Sequence, residues 1–396
     1  MKNYSKSICL VAPYAGSTLS GGHTAGGGGA ERQLILLGGV LLDLGWDVGF
    51  VTGLDVRPET LIDHHFKVNR VPFYFLRGKW LRLLQDLRLL WYALNEQGAN
   101  LVGLRAGGPV LLGLLKLWCL LRGAKLILWV QSDGDFARDA GKARSERALR
   151  RLARRIYRQQ IFSADLLIVQ TGYQYAALSK LTRRPCVIIP SLATFKAELS
   201  CRVSGGEKPF ILWAGNPTRN KRVSIVLALA KLLPAYQFVI AMNPGERKAL
   251  DQTKDEVRRL HNVKFLGAVP SQQMEEWFDR ATIVLNTSVI EGFPNTFLQA
   301  WARGIPVVTA GIDPDGLINR CGMGIVVPVI DDDSQAIGQL ASALRQGMED
   351  DRLRMEMGRT GYDYVVANHS PGSVGKHMDE SFKRLFNVHE ESTPHV

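Results

Sequence analysis

The sequence predicts an α/β protein with two doubly wound parallel-sheet domains in tandem. Short apolar strands alternate with helix-spaced segments, beginning with a strand at 8–12, a helix at 30–44 and a strand at 47–52. This alternation is typical of βαβ units and of parallel sheets. A polar segment at 200–209 interrupts the pattern, which restarts at Phe210. A chain of 396 residues is long enough for two such domains.

The same spacing predicts the remaining elements. In the first half we expect strands at 101–104, 125–130, 165–170 and 187–190, with a helix at 110–121. In the second half we expect strands at 210–215, 237–241, 263–267, 282–286 and 306–309, with helices at 223–233, 244–260, 272–280 and 295–303. The predicted domains are 1–195 and 196–370, a helix near 371–386 that packs back on the first domain, and a disordered tail at 387–396.

Charge and cysteine content narrow the classes of protein. The net charge is +12, and residues 138–160 hold nine basic and two acidic residues, a local charge of +7. The five cysteines form no CxxC pair, which favours a reducing compartment. No secretory signal is apparent, and the most apolar stretch, 109–121, contains Lys116 and is too short to span a bilayer. We therefore expect a cytoplasmic protein, with peripheral membrane binding as one role for the basic segment.

Residues 291–308 carry the most specific chemical pattern. Their first residues, 291–294, lie between a predicted strand and a predicted helix, so this loop brings backbone N–H groups to a helix N-terminus. Such a terminus binds phosphate through aligned donors and the positive end of the helix dipole. A helix cap without a ligand is the alternative. The candidate donor-binding residues here are Glu291, Gly292, Phe293, Pro294, Asn295, Thr296 and Gln299.

A second loop, 213–222, also follows a predicted strand and opens a predicted helix. It contains Asn216, Arg219, Lys221 and Arg222, all candidate donor-binding residues. A departing diphosphate gains negative charge, and nearby cations stabilise that charge. A solvated basic face is the alternative reading of such a charge run.

These two segments resemble glycosyltransferase family 4, a large family with the GT-B fold. The family signature is a Glu, seven residues, a second Glu, then Ala and a Gly-x-Pro-Val-Val strand; Glu291 matches the first Glu, and Gln299 stands where the second is expected. Lys221 matches the family's Lys, and Asn216 stands where its Arg is expected. Asp313-Pro-Asp-Gly resembles a polysaccharide-synthesis branch of the family.

The resemblance implies specific roles. It implies two domains that face a central cleft, with Glu291 on the transferred sugar, position 299 on the ribose and Lys221 on the diphosphate. Glu291 and Lys221 are therefore catalytic candidates. It also implies retaining transfer (EC 2.4) from a UDP- or GDP-sugar to a glycan or polyprenyl-diphosphate-linked acceptor, in bacterial surface polysaccharide biosynthesis. Neither a metal nor another cofactor is expected.

Gly28 and Gly29 end a glycine-rich loop that begins at Ser20. The loop satisfies neither GxGxxG nor Walker A, but its Gly-Gly-Ala-Glu-Arg-Gln end resembles the first loop of family 4. Glycine lets a backbone approach phosphate closely, so both residues are donor-binding candidates. A flexible surface loop is the alternative.

Arg105 and Asp133 follow predicted strands of the first domain. Residues at strand ends in such a sheet face the ligand-binding edge. Both are candidates for the acceptor side, and Asp133 is also a catalytic candidate for contact with the acceptor or the sugar. Because Asp-Gly is a common turn dipeptide, a plain turn is the alternative at Asp133.

The basic segment 142–158 has apolar residues on one helical face. A solvated helix packed on the core explains it, and so does a surface that binds anionic lipid. Two other functions remain open: a GT-B-fold sugar-nucleotide epimerase, and a non-catalytic basic protein that binds nucleic acid. We expect no nucleic-acid partner, since the segment lacks interleaved aromatic residues and a known nucleic-acid motif.

Overall fold

A computed structural model of the chain describes residues 5–19, 28–54, 66–73, 80–105, 108–130, 132–133, 156, 159–195, 208–242, 247–328 and 333–387. The described residues divide into two compact units. The first runs to Leu192 and takes up the chain again at Pro371, and the second is Ala193–Ser370.

The first unit is built on a seven-stranded parallel sheet. Its strand order is β3-β2-β1-β4-β5-β6-β7, so the order reverses between β1 and β4. In chain order its elements are β1 (Ser7–Ala12), α1 (Gly16–Leu19), α2 (Gly29–Asp43), β2 (Asp47–Thr52), β3 (Lys67–Arg70), a 3-10 turn (Trp80–Arg82), α3 (Leu83–Gln97), β4 (Leu101–Leu104), α4 (Pro109–Arg122), β5 (Lys125–Trp129), β6 (Leu166–Val169), α5 (Gly172–Ser179) and β7 (Cys186–Ile188).

The second unit is built on a six-stranded parallel sheet of order β10-β9-β8-β11-β12-β13. Its elements are β8 (Phe210–Gly215), α6 (Val223–Leu232), β9 (Gln237–Met242), α7 (Arg247–Val257), β10 (Val263–Gly267), α8 (Ser271–Arg280), β11 (Ile283–Asn286), α9 (Asn295–Trp301), β12 (Val307–Ala310), a 3-10 turn (Pro314–Gly316), α10 (Leu317–Cys321), β13 (Gly324–Val327), α11 (Asp333–Glu349) and α12 (Asp351–His369). The last helix, α13 (Pro371–Asn387), belongs to the first unit.

Apolar helix faces cover both sides of each sheet. In the first unit α2 and α13 pack on one side, where Phe382 meets Trp46 and Trp129 edge to face. Helices α3 and α4 pack on the other side. In the second unit α6 and α11 cover one side, and α8, α9 and α12 cover the other. The prediction of two doubly wound parallel-sheet domains is therefore confirmed.

Several elements were not predicted. Strand β3 has the sequence Lys-Val-Asn-Arg, which lacks an apolar run, and it is ordered by pairing along β2. Helices α3, α5, α11 and α12 were also missed. Helix α2 begins at Gly29, one residue before the predicted start, and α13 ends at Asn387, the first residue assigned to the tail.

Candidate active site

The sheet of the second unit has its topological switch point between β8 and β11. These strands are neighbours, although three helices and two strands separate them in the chain. Loops at the carboxyl ends of the strands beside a switch point form the ligand-binding crevice of open α/β sheets. The two loops here are 216–222 and 287–294, which overlap the two segments singled out from the sequence, 213–222 and 291–308.

Hydrogen bonds tie the two loops together. The Asn220 side chain donates to the Ile290 carbonyl and accepts from the Ile290 N–H, both at 2.9 Å. The Thr287 hydroxyl accepts from Trp213 Nε1 at 3.0 Å and donates to the Lys221 carbonyl at 2.6 Å. The two Thr287 bonds are buried or half-buried, whereas the two Asn220–Ile290 bonds lie at the surface. Together the four bonds hold the loops in one arrangement. Neither Asn220 nor Thr287 was identified from the sequence.

Lys221 and Glu291 form an ion pair. Their side chains are 24% and 18% exposed, so both charged groups are shielded from bulk water yet open to a ligand. Seventy residues of chain separate them. An ammonium that is already paired and partly desolvated is preorganised to meet a second anion. The structure thus brings together two of the three residues that the sequence made catalytic candidates, and Asp133 belongs to the first unit.

The other basic candidates differ in their surroundings. Arg222 has a left-handed backbone (φ 47°), and its Nε donates to the Thr287 carbonyl at 2.7 Å. Its guanidinium, on the first loop, is therefore bonded to the backbone of the second loop. Arg219 and Asn216 are exposed on the same turn. The family's Arg position is thus occupied by an exposed amide, with arginines three and six residues further along the chain.

The residues that lead into α9 are largely buried. Gly292, Phe293 and Pro294 are buried, and the Phe293 ring lies against His369 at a centroid distance of 4.9 Å. The Phe293 side chain therefore belongs to the core, and only its backbone is available to a ligand. Asn295 and Thr296 are half-buried. Among the described residues, no group hydrogen-bonds the buried Oδ1 of Asn295.

Gln299 lies on α9 beside α8. Its Nε2 donates to Glu275 Oε1 at 2.9 Å, and Arg303 bridges Glu275 and Asp279. The residue expected to contact ribose is therefore fixed by a neighbouring helix. Glu275 was not identified from the sequence, since nothing in the motif marks a residue 24 positions upstream.

In the first unit, a chain of buried polar groups connects Arg105 to Asp133. Arg105 Nη2 donates to the Ser191 hydroxyl at 3.1 Å, and that hydroxyl donates to Gln170 Oε1 at 2.9 Å. The Gln170 N–H donates to Gln174 Oε1 at 2.9 Å, and Gln174 Nε2 donates to Asp133 Oδ1 at 3.0 Å. The two candidate residues of this unit thus belong to one network.

The N-terminus of α2 adds a carboxylate near that network. The Gly28 N–H donates to Glu31 Oε2 at 2.9 Å, and Gly29 is the first residue of α2. Burial lowers the pKa of Arg105 to about 10, and the charge of Glu31 opposes this shift. Glu31 was not identified from the sequence, although an acidic residue in a first helical turn is a common cap.

Some predicted features lie outside the described residues. They are the basic segment 142–158 apart from Ile156, the glycine-rich loop 20–27, the linker 196–207 and the tail from 388 onward. Across the described ranges, no helix is long and apolar enough to cross a bilayer.

The chain is similar to known glycosyltransferases. Residues 208–349 match the family "Glycosyl transferases group 1". The D-inositol 3-phosphate glycosyltransferase of Corynebacterium urealyticum is 28% identical over 300 residues, which cover 69% of each chain. An uncharacterized glycosyltransferase of Methanocaldococcus jannaschii is 29% identical over 109 residues, which cover 27% of this chain and 28% of that protein.

Solved structures share the fold over nearly the whole chain. Sucrose-phosphate synthase from Thermosynechococcus elongatus superposes with a TM-score of 0.74 and 18% identity, covering 97% of this chain and 100% of that one. Anabaena HepE in complex with UDP and glucose gives 0.71 and 16%, covering 96% and 100%.

The fold and the family match together identify a glycosyltransferase of the GT-B type. Within this fold, the match to the group 1 glycosyltransferases lies at residues 208–349. The resemblance to family 4 is compatible with this match, and the expected class of enzyme, a transferase, is confirmed.

Proposed function

We propose that this glycosyltransferase is a retaining enzyme that uses a UDP- or GDP-linked sugar. The Lys221–Glu291 pair at the switch point carries the proposal. A donor diphosphate placed there meets the Lys221 ammonium and the backbone N–H groups at the start of α9, while the Glu291 carboxylate accepts from sugar hydroxyls. The UDP bound in the HepE structure supports a nucleotide donor.

The proposed chemistry is transfer of the sugar from phosphate to an acceptor hydroxyl. The bond from the anomeric carbon to the phosphate oxygen breaks, and the acceptor oxygen bonds to the same face of that carbon. The leaving phosphate oxygen takes the acceptor proton. Charge builds up on the diphosphate as that bond breaks, so Lys221 contributes more in the transition state than in the ground state.

The acceptor in this proposal is a glycan or a polyprenyl-diphosphate-linked glycan of bacterial surface polysaccharide biosynthesis, and Asp133 and Arg105 serve the acceptor side. The polar network that fixes Asp133 supports this role, because a positioned carboxylate can orient an acceptor hydroxyl. The match to the inositol glycosyltransferase supports a small polyol or sugar hydroxyl as the accepting group.

A thermal-shift panel of UDP, GDP and their sugars tests the donor class. A ligand that binds only the native state raises the melting temperature, by an amount that grows with its concentration over Kd. We expect UDP or GDP to raise it, and Lys221→Ala to abolish the shift. If neither nucleotide raises the melting temperature of the wild-type protein, the proposal fails.

Product analysis separates transfer from the alternatives. With donor and acceptor present, a transferase releases free nucleotide and a glycosylated acceptor, whereas an epimerase returns a changed nucleotide sugar. A salt-dependent shift of an oligonucleotide, without nucleotide-sugar binding, would instead favour the nucleic-acid-binding alternative.

Peripheral membrane binding through the basic segment 142–158 belongs to the same proposal. Its local positive charge supports attraction to anionic lipid headgroups. We expect the protein to co-sediment with vesicles that contain phosphatidylglycerol more than with phosphatidylcholine vesicles at low salt. Equal sedimentation with both would remove this part of the proposal.

A further inference from the structure

Gln299 is anchored by a cluster of charged side chains on α8 and α9. Arg303 is only 6% exposed, and its guanidinium binds Asp279 at 2.6 Å through Nε and also pairs with Glu275. Arg303 Nη1 donates to the Gln299 carbonyl at 3.1 Å. Glu275 then accepts from Gln299 Nε2 at 2.9 Å. Both the backbone and the side chain of Gln299 are therefore held by the cluster.

The chemistry of Glu275 decides which way the Gln299 amide faces. An ionised carboxylate only accepts hydrogen bonds, and only the NH2 end of the amide can donate one. The NH2 group must therefore face Glu275, and the carbonyl oxygen Oε1 is directed away from it. A glutamine held in this way presents a neutral acceptor, the complement of a hydroxyl donor.

The same cluster disfavours a carboxylate at position 299. Glu275 and Asp279 carry two negative charges and Arg303 one positive charge, so the cluster has a net charge of −1. A glutamate at 299 would place a second carboxylate at hydrogen-bond distance from Glu275, and two such groups cannot both ionise without cost. In this chain the neighbour of position 299 therefore favours a neutral amide there over a carboxylate.

We infer that Glu275 is a positioning residue, which holds the Gln299 amide with its carbonyl oxygen turned toward a ribose hydroxyl of the donor nucleotide. This inference rests on the proposed function and on the ribose contact that the family resemblance implies for position 299, and it names the atom that makes this contact. It also explains why a neutral residue is tolerated here: Oε1 accepts the ribose hydroxyl's hydrogen bond, as a carboxylate oxygen would.

The experiment compares nucleotides with and without ribose hydroxyls by calorimetry. For wild-type protein we expect UDP, or GDP, to bind about fivefold more tightly than its 2′,3′-dideoxy form, the effect of a hydrogen bond worth about 1 kcal/mol. Glu275→Gln frees the amide to rotate and should bring this ratio close to one. Glu276→Gln, an exposed neighbour on the same helix, is the control and should keep the wild-type ratio.

A swap of the two side chains gives a second readout. Gln299→Glu should weaken UDP or GDP binding, because it places two carboxylates at hydrogen-bond distance from each other. The double variant Glu275→Gln/Gln299→Glu restores one amide and one carboxylate with the net charge of the wild-type pair, so it should recover both the affinity and the ratio. A merely structural cluster would lower the affinity for both nucleotide forms equally.

The outcomes separate this inference from the proposed function. A wild-type protein that binds the nucleotide and its dideoxy form equally, or a Glu275→Gln variant with the wild-type ratio, would overturn the role of Glu275 and leave the proposed donor intact. A wild-type protein that binds neither UDP nor GDP would overturn both. Thermal denaturation of each variant establishes that it is folded before binding is measured.

Discussion

Replacing Lys221 by methionine tests the central feature of the site. Methionine keeps most of the side-chain volume and removes the ammonium that pairs with Glu291. Removing one preorganised donor to a developing negative charge typically lowers kcat by about 10²–10³-fold, or about 3 to 4 kcal/mol of transition-state stabilisation. We therefore expect Lys221→Met to lower kcat by at least about a hundredfold.

The structure also bounds the accompanying loss of stability. The Glu291 side chain is 18% exposed, so the variant leaves a partly buried carboxylate without its cation. Such a loss costs about 1–3 kcal/mol, and partial exposure moves it toward the lower end of that range. The double variant Lys221→Met/Glu291→Gln removes both charges, so it should recover stability without recovering turnover.

The assay measures kcat and KM with the donor identified by the nucleotide panel, together with urea denaturation. Lys231→Met is the matched control, because Lys231 is an exposed lysine near the end of α6 and should leave kcat unchanged. A Lys221→Met enzyme that is folded and turns over within about threefold of wild type would refute the role assigned to the pair.

Three further results are expected. Asp133→Asn should lower acceptor-dependent turnover by tenfold or more while the Kd for UDP or GDP is unchanged, since Asp133 lies in the other unit from the nucleotide loops; a weakened Kd would contradict this. Gly358→Ala would place a Cβ 2.0 Å from the Gly304 carbonyl oxygen and should lower the melting temperature. In Gly338→Ala the new Cβ meets nothing within 4 Å, so this variant should raise the free energy of unfolding by about 0.5–1 kcal/mol. Equal effects of the two variants in a denaturant titration would rule out the packing argument. Burial raises the pKa of Cys119 from 9.0 to about 12, so the folded protein keeps the thiol proton at a pH where the unfolded chain has lost it. The free energy of unfolding should therefore fall as the pH rises from about 9 to 12, and Cys119→Ala should show a shallower fall.

The sequence predicted the structure correctly wherever a local pattern of residues is compatible with one kind of secondary structure. Apolar runs between helix-spaced segments permit only buried parallel strands with crossover helices, so the doubly wound domains could be predicted. The motif at Glu291 and the basic loop at Lys221 were visible for the same reason. Each is a short segment whose position after a strand determines where its backbone donors point.

Elements without a strong pattern could not be predicted. Strand β3 owes its extended form to hydrogen bonds with β2, and its own residues favour no strand. Likewise, nothing adjacent in the chain marks Glu275 or Thr287 as parts of the site, because their importance comes from neighbours contributed by other elements.

The sequence by itself determined the class of fold and the loops that carry the candidate chemistry. Only the tertiary structure decided which residues meet, because strand order brings β8 beside β11 and so joins Lys221 to Glu291 across 70 residues. It also decided that Gln299 is held by Glu275 and that Arg105 and Asp133 share one polar network. Local propensity acts over a few residues, whereas these pairings follow from the burial of whole sheets.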